Sequence, residues 1–157
     1  MRIGHGYDAH RFEEGKPLVL GGVSVEYKDG LLAHSDGDVA LHALCDALLG
    51  AIGQGDIGQH FPDTSQELSN VDSRILLRKV FELVDNADYR IGNVDMTIIA
   101  QVPKLAPYLT SMSATIANDL NCDSAQINIK ATTTEGMGFA GRKEGIEAHA
   151  VVLLIAR

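Results

Sequence analysis

His34-Ser-Asp-Gly-Asp-Val-Ala-Leu-His-Ala-Leu-Cys-Asp-Ala-Leu-Leu-Gly-Ala-Ile-Gly53 is the stretch around which the rest of the chain has to be arranged. Asp36–Gly53 reads as a helix. Ser35 or Asp36 can accept from its first free N–H groups, and Val39, Leu41, Leu44, Leu48, Leu49 and Ile52 spread apolar groups over most of its surface. A helix that is apolar nearly all round must be buried. Asp38, His42 and Asp46, at i, i+4 and i+8, form a narrow polar file on it. Such a file is either a solvent stripe or a line facing a site, and the lack of Lys, Glu and Gln favours the site. Asp46 is then a partner orienting His42 or a substrate contact.

Working outward, Met1-Arg-Ile-Gly-His-Gly-Tyr-Asp-Ala-His10 reads as a strand over 2–10. Side chains at i and i+2 share a strand face, so Asp8 and His10 can grip one ion, while Gly4 and Gly6 leave that face open upstream. An Asp-x-His pair alone is a weak signal. With His42 supplied by the helix there are three protein ligands and a free fourth position, the pattern of a working zinc site rather than a closed structural one. His5 alternates onto the opposite face and is not a ligand. His60 and His149 carry no assigned role.

The remaining segments predict a sheet with helical cover. Leu18–Val25, broken by Gly21-Gly22, reads as a short strand or hairpin arm, and Val71–Ala87 as a plain amphipathic helix without chemistry. Asp56-Ile-Gly-Gln-His-Phe-Pro-Asp63 reads as an irregular loop of the kind that forms mobile lids, anchored by Phe61. Ile91–Val102 is a strand entering the core, Pro107 begins a further helix, and Gln126–Thr133 alternates as a half-buried strand. The run Val151-Val-Leu-Leu-Ile155 within Ile146–Ala156 needs cover on both faces, and a subunit interface can provide one cover. The expected class is α+β, a mixed sheet covered on one side by helices.

A chain of 157 residues, 45% hydrophobic and 22% charged, fits one folded domain, expected over 1–157. The N-terminus has neither a secretory nor a transit-peptide pattern, and no segment approaches membrane-spanning length. Cys45 and Cys122 lack a Cys-x-x-Cys spacing, which fits reduced thiols in a cytoplasm, with Cys45 packing its helix. A net charge of −8 disfavours binding to nucleic acid or an anionic membrane. A polyanionic ligand would need local positive centres, namely bound metal, Lys104, Lys130, Arg142 and backbone N–H groups.

A second constellation, Lys130-Ala-Thr-Thr-Thr-Glu-Gly-Met-Gly-Phe-Ala-Gly-Arg142, runs from a strand end into a glycine-rich loop. Thr132, Thr133, Thr134, backbone donors freed by the glycines, and Arg142 could bind phosphate. Glu135 could hold a hard cation such as Mg²⁺ with phosphate oxygens completing its shell. An ordinary polar turn is the competing reading, since no Walker or dinucleotide glycine spacing is present. His34 could touch a phosphate or move a proton.

Read together, Asp8-Ala-His10, His34-Ser-Asp-Gly-Asp-Val39, His42-Ala-Leu-Cys-Asp-Ala-Leu-Leu-Gly50, Gly55-Asp-Ile-Gly-Gln-His-Phe-Pro-Asp63, Pro103-Lys104 and Lys130-Ala-Thr-Thr-Thr-Glu135 resemble the 2-C-methyl-D-erythritol 2,4-cyclodiphosphate synthase family. The match runs in order over nearly the whole chain. The resemblance implies a homotrimer with sheets packed around a three-fold axis and active sites between adjacent subunits. It implies conversion of 4-diphosphocytidyl-2-C-methyl-D-erythritol 2-phosphate into the cyclic diphosphate and CMP, in the non-mevalonate route to isoprenoids, without a fused cytidylyltransferase.

Residue by residue, the resemblance implies zinc on Asp8, His10 and His42, and Mg²⁺ or Mn²⁺ on Glu135 through substrate phosphates. His34 and Thr133 match transition-state stabilisers. Ser35, Asp56, Ile57, Gly58, Phe61, Pro62, Asp63, Thr64 and Ser65 match contacts to the methylerythritol side. Ala100, Gln101, Val102, Pro103, Lys104, Leu105 and Ala106, with Thr132, match the cytidine side. Phe139 and Arg142 match contacts near the three-fold axis. Gly136 stands where lysine is common in the family and Tyr7 where phenylalanine is common, which alters loop charge and the axial lining but not the metal ligands.

No serine, cysteine or strong base is needed, because the nucleophile is the substrate's own 2-phosphate. Two other readings of the same residues are a zinc-dependent phosphoesterase using metal-bound water and a non-catalytic nucleotide-binding or metal-stabilised trimer, the latter marked by a zinc with four protein ligands.

Overall fold

The computed structural model describes residues 1–157. Its strands are β1 (Arg2–Glu14), β2 (Leu18–Leu20), β3 (Val23–Val25), β4 (Asp29–Leu31), β5 (Tyr89–Ile99), β6 (Ile127–Thr132) and β7 (Gly145–Ala156). Its α-helices are α1 (Val39–Ala51), α2 (Ile57–His60), α3 (Ser73–Asn86), α4 (Leu109–Asp119) and α5 (Gly138–Gly141). Five strands form one sheet in the order β4-β1-β7-β5-β6, and β2-β3 form a separate hairpin. Neighbours in the large sheet are antiparallel except β5 and β6, which are parallel, so the sheet is mixed as expected.

The position of α1 follows from what its neighbours lack. A Cβ on Gly6 would lie 1.8 Å from the carbonyl oxygen of Ala43, and one on Gly4 1.9 Å from that of Ala47. Two glycines on one face of β1, opposed by Ala43, Ala47 and Ala51 at helical spacing, let the helix backbone rest against the strand. The expectation that these glycines leave an open face is therefore corrected: α1 fills it. All of α1 except Asp46 and Gly50 is buried. Cys45 is fully buried, as its place in an apolar helix required.

β7 follows the period of two. Ile146, Ala148, Ala150, Val152 and Leu154 are wholly buried against the helical layer, while Val151 on the other face is 47% exposed. In the single chain only one face of this apolar strand is covered. Ile3 and Tyr7 of β1 are exposed on the same outer face.

Local differences from the sequence expectations have identifiable causes. α1 begins at Val39 because Asp38, rather than Ser35 or Asp36, caps it by accepting from the Leu41 N–H. Asp38 also accepts from Gly21 and Gly22 in the β2–β3 turn. It thus belongs to the core and not to a site-facing file. The segment expected to be wholly irregular contains α2, one turn made possible by Asp56, whose carboxylate accepts from the Gln59 N–H. β1 runs four residues beyond His10, to Glu14, because β4 pairs with its last part.

Candidate metal centre

β1 presents Asp8 and His10 on the face that carries Gly4 and Gly6, and the close approach of α1 brings His42 beside them. Asp8 Oδ2 lies 2.8 Å from His10 Nε2 and 3.2 Å from His42 Nδ1, and the two imidazole nitrogens are 3.1 Å apart. Donors around a tetrahedral ion with bonds of about 2.0 Å stand roughly 3.3 Å from one another. The triangle fits such an ion with only slight spreading. One carboxylate and two imidazoles suit a transition-type divalent metal better than a calcium-like ion that seeks oxygen alone.

The charge pattern agrees. Burial works against ionisation of Asp8, but hydrogen bonds from His10 and His42 override it and hold the carboxyl well below the usual range. Burial likewise opposes protonation of His42, and the hydrogen bond and charge of Asp8, followed by the charges of Asp38 and Asp36, outweigh it and raise its pKa.

The other nitrogen of His42 is also held. Nε2 is 3.0 Å from Ser35 Oγ and 2.9 Å from Ser73 Oγ, and the Ser73 hydroxyl donates to Asp36 Oδ1. Ser73 is the first residue of α3, a helix from which no chemistry was expected. Its Val71–Asp72 lead-in signals a helix start, and nothing local ties it to a histidine 31 residues back.

The triad opens into a cavity of about 260 Å³ also lined by His34, Ser35, Ile57, Gly58, Phe61 and Asp63. His34 Nε2–H donates to the Ser65 carbonyl at 2.6 Å, fastening the segment after α2. Asp46 does not touch His42; its Oδ1 accepts from the Ile57 N–H at 2.7 Å and pins the start of α2 to α1. The reading of Asp46 as a partner of His42 is corrected accordingly. Pro62, Thr64 and Ser65 do not line this cavity.

A second cavity, about 320 Å³, is lined by Ala100, Gln101, Pro103, Lys104, Leu105, Ala106, Ala131, Thr132 and Thr133. The expected nucleotide-side residues are together there, apart from Val102. The two cavities share no lining residue. β1 and β6 are separated by β7 and β5, three strand spacings, or roughly 14 Å.

Beyond Thr133 the loop uses several donors internally. The Glu135 N–H goes to Thr133 Oγ1, the Gly136 N–H to Gln101 Oε1, and the Thr134 hydroxyl to the Met137 carbonyl. Glu135 has an exposed side chain on a residue with φ 55°, and it is not part of the Asp8–His10–His42 cluster. Lys130 is engaged by both oxygens of Asp95, at 2.6 and 2.7 Å, and so is not a free phosphate-binding cation. Arg142 pairs with Glu144 at 2.6 Å, and Phe139 borders a third cavity, about 550 Å³, with His10 and Phe12. No helix is long and apolar enough to cross a membrane.

Comparison with known proteins agrees with this arrangement over the whole length. A Photobacterium profundum protein named 2-C-methyl-D-erythritol 2,4-cyclodiphosphate synthase is 60% identical over 157 residues, covering 100% of both chains. Among solved structures, the bifunctional IspDF of Campylobacter jejuni superposes with a TM-score of 0.96 at 44% identity, over 99% of this chain and 42% of that one. The Plasmodium falciparum IspF in its CDP complex superposes with a TM-score of 0.88 at 41% identity, over 99% of this chain and 96% of that one. With the YgbB family profile also matching residues 1–155, the chain belongs to the YgbB family, that of the 2-C-methyl-D-erythritol 2,4-cyclodiphosphate synthases.

Proposed function

We propose that the chain is a 2-C-methyl-D-erythritol 2,4-cyclodiphosphate synthase of isoprenoid biosynthesis, a phosphorus–oxygen lyase acting on 4-diphosphocytidyl-2-C-methyl-D-erythritol 2-phosphate. The observation that carries this reading is the three-ligand cluster, open to a cavity that is also lined by His34 and Ser35. The 2-phosphate oxygen of the substrate forms a bond to the β-phosphorus. The bond from that phosphorus to the oxygen bridging to the α-phosphate breaks, and CMP leaves with the electron pair. Both partners lie in one molecule, so catalysis reduces to folding the substrate and stabilising charge on the phosphoryl group.

Asp8, His10 and His42 would hold zinc, which when bound supplies a Lewis-acid template for phosphate oxygens. Glu135 would hold Mg²⁺ or Mn²⁺ together with substrate phosphates, a site expected to be weak without substrate. His34 and Thr133 would stabilise the charge that develops on the phosphoryl oxygens. The cavity beside Lys104 and Thr132 would seat the cytidine, with backbone groups of 100–106 reading its edge. Ser35, Phe61 and Asp63, with the backbone of α2, would enclose the methylerythritol part.

The separation of β1 from β6 across the sheet, together with the uncovered outer face of β7, supports a homotrimer in which the metal side of one subunit meets the nucleotide side of the next. A cytoplasmic location is consistent with the unpaired Cys45 and Cys122. Incubation with the cytidyl substrate, followed by phosphorus NMR, tests the activity. The expected result is CMP and a cyclic diphosphate free of solvent oxygen. A linear phosphate carrying oxygen-18 from labelled water would point to a phosphoesterase instead, and absence of turnover to a non-catalytic binder.

A further inference from the structure

We infer that Ser73 and Asp36 are positioning residues that set the tautomer of His42, so that Nδ1 offers its lone pair to the metal. The assignment rests on the zinc centre proposed above. A serine hydroxyl has one proton and two lone pairs. The Ser73 proton is directed to Asp36 Oδ1, so toward His42 Nε2, 2.9 Å away, Ser73 can only accept. Nε2 therefore carries the hydrogen. Ser35 Oγ, 3.0 Å from the same nitrogen, receives the Gly37 N–H and keeps a second lone pair with which to accept from Nε2–H.

Asp36 is fixed in turn. Its Oδ2 accepts from the Ser73 N–H and its Oδ1 from the Asp38 N–H, both at 3.1 Å, while its own N–H donates to the Val71 carbonyl. The carboxylate thus joins the start of α3 to the loop before α1, and Ser73 and Ser35 are themselves buried. The competing arrangement places the hydrogen on Nδ1, toward Asp8 Oδ2 at 3.2 Å, where it blocks the ligand position. The hydroxyl–carboxylate relay biases His42 away from that state. It does the work that a directly bonded carboxylate does behind many metal-binding histidines, with a serine inserted between the two.

The test uses zinc affinity, measured by competition with a chromophoric chelator, and the tautomer of His42, read by long-range proton–nitrogen NMR on histidine-labelled, metal-free protein in alkaline buffer. Ser73→Ala is expected to weaken zinc binding about 10- to 100-fold and to shift His42 toward the Nδ1–H form. Ser73→Thr, which keeps the hydroxyl, is expected to restore most of the affinity, and Asp36→Asn to fall between. A wild-type protein whose His42 carries its hydrogen on Nδ1 overturns the assignment without recourse to any variant. So does zinc binding that His42→Ala abolishes and Ser73→Ala leaves unchanged, which would leave the metal centre itself standing. Wild-type protein that binds no zinc removes the centre and this inference with it.

Discussion

At one side of the sheet, Asp8, His10 and His42 stand on a strand and a helix locked together by core packing; at the end of the far strand, Thr132–Met137 leaves the last strand pairing as a largely exposed loop that leads into α5. The metal side has its ligand atoms within hydrogen-bonding distance of one another before any ion arrives. The loop side has Glu135 alone, with its backbone bonded inward and its carboxylate in solvent. A site built on regular elements holds its geometry at no cost when the ligand comes, whereas one that relies on substrate oxygens must be completed by the substrate. The two proposed metal sites should accordingly differ in retention, and substitutions should separate them.

The most damaging change is expected at a residue that touches no ligand. Gly6→Ala drives a methyl group into the Ala43 carbonyl, so α1 has to move off β1. A loss of about 3 kcal/mol in stability, seen in denaturant melts, and loss of zinc retention are expected together. Retention of zinc with an unchanged melt would show that the seating of helix on strand does not set the triangle. His42→Ala comes next. It should leave the fold intact by circular dichroism yet lower zinc affinity more than about 100-fold, because a direct ligand outweighs its supporting groups.

Glu135→Gln sharpens the contrast from the other side: metal analysis should find zinc unchanged while cyclisation falls more than about tenfold. Full activity over a range of Mg²⁺ concentrations would make Glu135 a turn residue and end the two-metal account. The smallest effect concerns the metal-free protein. Asp8 has a depressed pKa, so its stabilising contribution is present above the ordinary carboxylate value of ~3.9 and lost as pH falls toward the lowered one. His42 has a raised pKa, so its contribution is complete below the ordinary imidazole value of ~6.5 and lost as pH rises through the raised one. Melts of chelator-treated protein should therefore show a stability plateau between those two ordinary values. Asp8→Asn should flatten it by on the order of 1 kcal/mol.

The two regions were also unequally legible in the sequence. Asp8 and His10 could be paired because strand periodicity is strict, and His42 joined them because a polar residue on an almost wholly buried helix needs a partner. The same logic misread Asp38 and Asp46. Both share the i, i+4 spacing of His42, but one caps α1 and the other holds the start of α2, and periodicity cannot tell a carboxylate facing an N–H from one facing a cation. Ser73 was invisible for a different reason. Its contact with His42 is created by the packing of α3 on α1, not by any local pattern. On the loop side, the strand Ile127–Thr132 was legible from its alternation, whereas the pairing of Lys130 with Asp95 depended on β5 and β6 lying parallel in one register.

The placement of β1 within the sheet bears on when the metal centre can exist at all. Asp8, His10 and His42 all lie in the first third of the chain, but β1 is hydrogen-bonded along most of its length to β7, with Gly4 opposite Val152 and His10 opposite Ile146. Contacts so distant in sequence close late, because a large loop must be ordered before they contribute any stabilisation. During synthesis the ligand residues leave the ribosome early, and the part of β1 that carries Asp8 and His10 then has no strand partner, since β4 pairs only with Phe12–Glu14. Only when β7 docks is β1 held in the register that presents Asp8 and His10 to α1. Metal binding by the triad would thereby depend on completion of the chain, and a truncated product that ends before β7 would carry all three triad residues without the frame that brings them together.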